Sequence, residues 1–218
     1  MQVAIVKYNA GNIYSVVNAL HRLGVEPLLT DDAEALRRAD RVIFPGQGEA
    51  RGAMDYLRAR GLDEVIRSLT QPVLGICIGQ QLLCRHSEEG DTQCIGIFDV
   101  DVKRFQPTRH EDKVPCMGWN KLSLPPTPPK GRGFENVLFR GLFDTKPSSP
   151  GEEMEVGQPY VYFVHSYYVP LCEHTIATAD YVQPYSAALH KDNFYTCQFH
   201  PEKSGVVGEC IIKNFLEL

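Results

Sequence analysis

The sequence predicts an α/β fold: an open, mostly parallel sheet with flanking helices and an additional antiparallel or mixed β portion. Three observations carry this. Over residues 3–83, short apolar runs alternate with helical periods. After residue 92, runs of β-branched and aromatic residues follow one another with few helical periods between them. The 218 residues, 43% of them hydrophobic, suit one domain (1–218) with a core of its own.

Val3-Ala4-Ile5-Val6 is a buried-strand run, followed by the loop Asn9-Ala10-Gly11-Asn12. Ile13, Val16, Val17, Leu20 and Leu23 then recur at helical spacing up to Gly24, a helix stop. Pro27–Thr30 is a second strand, Asp32 caps a short helix through Arg38, and Val42-Ile43-Phe44 is a third strand. The loop Pro45-Gly46-Gln47-Gly48 comes next. Helical patterns through Met54–Leu57 and Leu62–Leu69 lead to a Val73–Ile76 strand and a helix beginning near Gly79 that carries Leu82 and Leu83. In the second half, Val100–Phe105, Tyr160–Val169, Thr175–Val182 and Phe194–Phe199 read as strands. Two Pro-rich stretches, near 125–134 and 145–153, can hold neither helix nor central strand and read as exposed loop insertions around a small element at Val137–Phe139. Val206, Val207, Cys210, Ile211, Phe215 and Leu216 form an apolar helical stripe after Ser204.

A net charge of −5 without a long Lys/Arg run argues against a nucleic-acid or membrane surface as the main partner. No apolar run approaches a membrane span, and Met1-Gln2-Val3 leads into a strand rather than a signal peptide, so a cytoplasmic location is expected. Seven cysteines, without CxxC pairs or a metal-like His/Cys cluster, read as reduced thiols, and no metal or cofactor is expected.

Ligands of such sheets collect at the carboxyl ends of the strands, where the Pro45 loop and Cys77 both fall. In Gly75-Ile76-Cys77-Ile78-Gly79, small residues two positions either side of the Cys describe a nucleophile elbow, a sharp strand-to-helix turn that points the sulfur outward. The helix dipole and a neighbouring imidazolium would both favour the thiolate. Far downstream, Pro201 keeps His200 extended, and residues i and i+2 of an extended segment share a side, so Glu202 is expected to orient the imidazole. A Cys, a base and an orienting acid are the parts of nucleophilic acyl transfer. Cys84, Cys94, Cys116, Cys172, Cys197 and Cys210 lack this setting and read as inert.

Gly75-Ile76-Cys77-Ile78-Gly79-Gln80-Gln81-Leu82-Leu83, the Pro45-Gly46-Gln47-Gly48 loop and Gln198-Phe199-His200-Pro201-Glu202 together resemble the class I, triad-type glutamine amidotransferases. Pro115-Cys116-Met117-Gly118-Trp119-Asn120, Tyr162-Phe163-Val164-His165-Ser166-Tyr167 and His200-Pro201-Glu202-Lys203-Ser204-Gly205 narrow the resemblance to glutaminase subunits of imidazole glycerol phosphate synthase. The resemblance implies that Cys77 attacks the side-chain amide of glutamine, His200 protonates the leaving nitrogen and Glu202 holds His200 in its tautomer. It also implies oxyanion donors at the Ile78 N–H and the Gly46-Gln47 peptide, with Gln81, Glu89 and His165-Ser166-Tyr167 binding the substrate. Without it, Gln81 reads as an exposed helix residue and Glu89 as a solvated loop acid. The implied partner is a barrel-shaped cyclase subunit that receives the ammonia in a heterodimer, with Asn12, Trp119, Asn120 and Lys203 at or near the contact. The chain departs from the family pattern at Gln47 (usually Val), Gln80 (usually Met) and Cys116 (often His). The two Gln residues would set amides near the site, able to alter loop rearrangement or crowd the substrate. A glutaminase for chorismate- or nucleotide-directed synthesis, a γ-glutamyl hydrolase without a partner and a non-catalytic binding protein on the same fold remain as alternatives.

Overall fold

The computed structural model describes residues 1–8, 13–124, 137–142 and 159–218. The Asn9–Asn12 loop and the cores of both Pro-rich stretches lie outside these residues. The first four strands are β1 (Val3–Val6), β2 (Leu28–Thr30), β3 (Arg41–Phe44) and β4 (Val73–Ile76). They alternate with helices α1 (Ile13–Arg22), α2 (Ala33–Arg38), α3 (Ala50–Ala59) and α4 (Leu62–Arg67), and α5 (Ile78–Leu82) follows β4. β5 (Cys84–Ser87), β6 (Thr92–Gln93), β7 (Phe98–Arg104), β8 (Cys116–Lys121), β9 (Tyr160–His165), β10 (Tyr167–Tyr168), β11 (Thr175–Tyr181), β12 (Gln183–Lys191) and β13 (Phe194–Cys197) precede the closing helix α6 (Gly205–Leu216).

The main sheet runs β11-β12-β13-β4-β3-β1-β2. Its strands from β2 to β13 are parallel, and β12 and β11 extend it antiparallel. Every residue of β1 and β4 is buried, as expected of parallel strands covered on both faces. Alternation divides the core in two. Val3 and Ile5 face a cluster with α1, α6 and the β8–β9 hairpin, whereas Ala4 and Val6 face one with α2, α3, α4 and α5. Asp32 caps α2 as expected, its Oδ1 accepting the Ala35 N–H at 2.7 Å.

β13 pairs parallel with β4, Cys197 opposite Ile76, so a strand near the far end of the sequence completes the centre of the sheet. The strands β5, β6, β8 and β12 go beyond the expected pattern. β5 mixes Arg and His with Cys and Ser on a small four-stranded sheet, a composition without the apolar run that announces a strand. The expected Tyr160–Val169 run breaks at Ser166 into β9 and β10, which pair with different partners. In the α6 stripe Val206 is a correction: it is 83% exposed, while Asn214 takes a buried place and donates to the Leu138 and Arg140 carbonyls.

Candidate active site

Cys77 stands between β4 and α5 with φ 53° and ψ −109°, a left-handed conformation of the kind that costs about 1–3 kcal/mol. Its neighbours must be small because α5 starts directly against the end of β3. A Cβ on Gly79 would lie 2.1 Å from the Phe44 carbonyl oxygen, and one on Gly46 would lie 1.9 Å from Ile78 Cγ2. The Cys77 N–H donates to the Cys197 carbonyl at 2.7 Å, tying the elbow to β13.

The segment that follows the same strand carries the expected base. His200 lies three residues beyond β13, with its N–H on the Tyr162 carbonyl at 2.9 Å and its Nδ1 2.8 Å from Glu202 Oε1. Both side chains are buried, at 1% and 3% exposure. The route to this contact differs from the expected one. His200 is extended, as a residue before proline should be, but Pro201–Lys203 is a 3-10 turn, so Glu202 reaches the imidazole by curling back rather than by i, i+2 alternation. With Nδ1 engaged by Glu202, Nε2 is the ring nitrogen left for the Cys77 sulfur. Burial pushes the imidazole down. The Cys77 charge and hydrogen bond, joined by Glu202, outweigh burial and raise its pKa to about 10. Glu202 Oε2 is buried without a partner among the described residues.

Cys77 and His200 open on a cleft of about 420 Å³ whose walls include Gln47, Ile78, Gln81, Glu89, His165, Ser166, Tyr167 and Lys203. Gln81 is buried rather than exposed, because α5 is covered on all sides. Its Nε2 donates to the Tyr167 carbonyl at 3.1 Å and to Gln198 Oε1 at 3.0 Å. Glu89 is not a freely solvated acid: its Oε2 accepts the Ala50 N–H at 2.8 Å, and burial, with Glu49 nearby, raises its pKa. His165 is held down at about 4 by burial, aided by His200 and opposed by the Tyr167 carbonyl on its Nδ1, so it is neutral at pH 7. Gly46 is not among the residues that wall the cleft; it packs against Ile78 and Gly79 at the start of α5.

Gln80 corrects one expectation. It is fully buried on the side of α5 away from the cleft, donating to the Ser186 carbonyl at 3.2 Å and accepting the Thr196 hydroxyl at 2.7 Å. Its amide therefore cannot crowd a substrate. Cys116 is buried opposite His165 in the β8–β9 register. Trp119, 57% exposed, and Met117, 67% exposed, share the outer face of that hairpin with the cleft residues Tyr162 and Val164. Asn120 is committed internally, donating to the Asp180 carbonyl and accepting the Lys121 N–H, and Asn12 lies outside the described residues.

Sequence reasoning passed over Gln198 and Tyr8. Gln198 is fully buried, with Nε2 3.7 Å from Cys77 Sγ; its place two residues before His200, just past the end of β13, was the available signal. Tyr8 donates to the Pro45 carbonyl and so pins the loop that follows β3. All seven cysteines are free, and among the described residues no group of three or more His, Cys, Asp or Glu is arranged to hold a metal.

The family model for glutamine amidotransferase class-I matches residues 4–218. The chain is 56% identical, over all of both chains, to imidazole glycerol phosphate synthase subunit HisH of Bacteroides thetaiotaomicron, and 42% identical over the full length to the subunit of that name from Escherichia coli. Among solved structures, one described as a glutamine amidotransferase gives TM-score 0.69 at 19% identity, covering 100% of this chain and 98% of that one. PurLQS from Thermotoga maritima gives TM-score 0.60 at 17% identity, covering 99% and 97%.

Proposed function

The chain belongs to the class-I glutamine amidotransferase family, and on that premise we propose that it is the glutaminase subunit of an imidazole glycerol phosphate synthase, supplying ammonia to a cyclase partner in histidine biosynthesis. The observation that carries this reading is the meeting of Cys77, His200 and Glu202 at one cleft.

Cys77 Sγ attacks the side-chain carbonyl carbon of glutamine, and its strained backbone aims the sulfur out of the elbow. The amide oxygen gains negative charge and is held by the Ile78 N–H, at the start of α5 where no intrahelical acceptor competes, and by the Gly46-Gln47 peptide. Losing one such donor costs about 3 kcal/mol in the transition state. The His200 imidazolium, stabilised by Glu202, gives its proton to the departing nitrogen and ammonia leaves. The same imidazole then takes a proton from water as the thioester is hydrolysed to glutamate. Gln81, Glu89 and the His165–Tyr167 segment bind the amino-acid end of the substrate.

Ammonia released into water is protonated and lost to the second reaction, so the cleft must discharge into a covered path. The exposed pair Met117 and Trp119 lies on the hairpin face that also walls the cleft, which supports a docking surface for a barrel-shaped cyclase there, with Lys203 at its rim. Among the described residues no helix is long and apolar enough to cross a membrane, and a cytosolic site of action fits this reading.

The test is co-purification with a candidate cyclase, followed by product formation from glutamine or from free ammonium. Cys77→Ala should abolish the glutamine-dependent reaction and spare the ammonium-dependent one. Equal ammonia release by variant and parent would sink the proposal.

A further inference from the structure

Two side-chain amides lie in series behind the nucleophile, and their polarity can be worked out from one end. The Tyr167 carbonyl can only accept, so the Gln81 group facing it at 3.1 Å must be Nε2. That nitrogen also faces Gln198 at 3.0 Å, so Gln198 must present its oxygen there. Gln198 Nε2 is thereby turned to Cys77 Sγ, at 3.7 Å. The backbone brings the two side chains together: Cys197 pairs with Ile76 across β13 and β4, and Gln198 and Cys77 are the residues that follow them.

We propose that Gln198 is a further working residue of this site: its N–H steadies negative charge on the Cys77 sulfur, and its oxygen fixes the Gln81 amide so that only an acceptor faces the cleft. Both Gln81 N–H groups are spent inside the protein, which leaves its carbonyl oxygen to meet a positively charged group of the substrate. An α-ammonium is such a group, and Glu89 on the same cleft adds a carboxylate for it. One buried amide thus couples nucleophile activation to recognition of a free amino acid. The inference rests on the glutaminase reading above.

Gln198→Glu and Gln198→Leu separate the two roles, assayed in the complex with the cyclase. Glu keeps an acceptor for Gln81 but loses the N–H to sulfur and adds a charge; Leu loses both. The titratable groups facing the sulfur are His200, backed by Glu202, and Tyr8 at the end of β1, with His165, Glu89 and Lys203 along the cleft. None of these is altered. The readouts are kcat and KM for glutamine, and the pH midpoint for alkylation of Cys77 by iodoacetamide. For Gln198→Leu, which adds no charge, the midpoint should rise by about one to two pH units, as loss of a hydrogen bond to a charged group implies; for Gln198→Glu it should rise further because a carboxylate now faces the sulfur, with kcat falling at least about tenfold and KM little changed. For Gln198→Leu KM should rise as well. Unchanged midpoints in both variants, or equal loss of kcat and KM in both with a lowered melting temperature, would reduce Gln198 to a packing residue and overturn the proposal. Failure of the glutaminase reading would look different: the unaltered protein would then release no ammonia that depends on Cys77.

Discussion

Gly79→Ala places one methyl group where the fold has no room for it. The new Cβ would lie 2.1 Å from the Phe44 carbonyl oxygen, more than about 1 Å inside an ordinary contact. The new Cβ is fixed by its own backbone and the atom it meets is a backbone carbonyl oxygen, so no rotamer relieves the clash. The end of β3 and the start of α5 must move apart by about 1 Å, and overpacking of this kind costs about 1–3 kcal/mol. For a chain of this size that is a fall in melting temperature of about 2–12 °C. The larger effect should be on turnover: Cys77 is two residues away, and an error of about 1 Å in a reacting atom can cost roughly 100-fold. Gly52→Ala in α3 is the matched control, because its Cβ would meet nothing closer than Glu49 Oε2 at 3.4 Å and the helix interior prefers Ala by about 0.5–1 kcal/mol. The assays are thermal unfolding and glutamine-dependent turnover with the partner present. If Gly79→Ala matched the parent in both, the tight seat of the elbow on β3 would be wrong.

The alkaline limit of stability should depend on Glu202. Burial lowers the His200 pKa but Cys77 and Glu202 raise it to about 10, above the ordinary 6.5, so its contribution is complete below pH 6.5 and drains away as pH climbs through 10. Glu202→Gln should bring that decline to lower pH in melting curves taken from pH 6 to 10.5; superimposable curves would contradict the pairing. His165 acts at the other end. Held near 4 mainly by burial, it contributes stability that is complete above pH 6.5 and lost as pH falls towards 4, so His165→Gln should flatten the acid limb of the same curves. Trp119→Ala should weaken cyclase binding about 30-fold by titration calorimetry, a loss of about 2 kcal/mol, while slow hydrolysis by the free subunit stays the same. An unchanged Kd would remove Trp119 from the interface.

The parallel half was legible because buried strands such as Val3–Val6 and Val73–Ile76 are continuous apolar runs between helical periods. The elbow was legible because close backbone approach leaves glycines at fixed spacing. What lay beyond the sequence was pairing. Nothing local tells β8 that β9 lies opposite it, and so the neighbourhood of Cys116 and His165 could not be read. Gln80 and Gln81 are adjacent and alike, yet only the packing of α5 sends one into the sheet and the other to the cleft. The Glu202 contact with His200 forms through a 3-10 turn where the sequence predicts an extended run, since both leave the same spacing in the chain.

The insertion of β13 beside β4 governs when this protein becomes chemically competent. The sulfur and the amide behind it are 121 positions apart, and the imidazole is further still. On the ribosome, the elbow emerges long before the segment that carries Gln198, His200 and Glu202. On the proposed reading, a chain that ends before β13 would hold the elbow without His200 and Glu202, so turnover of glutamine would require the chain through residue 202.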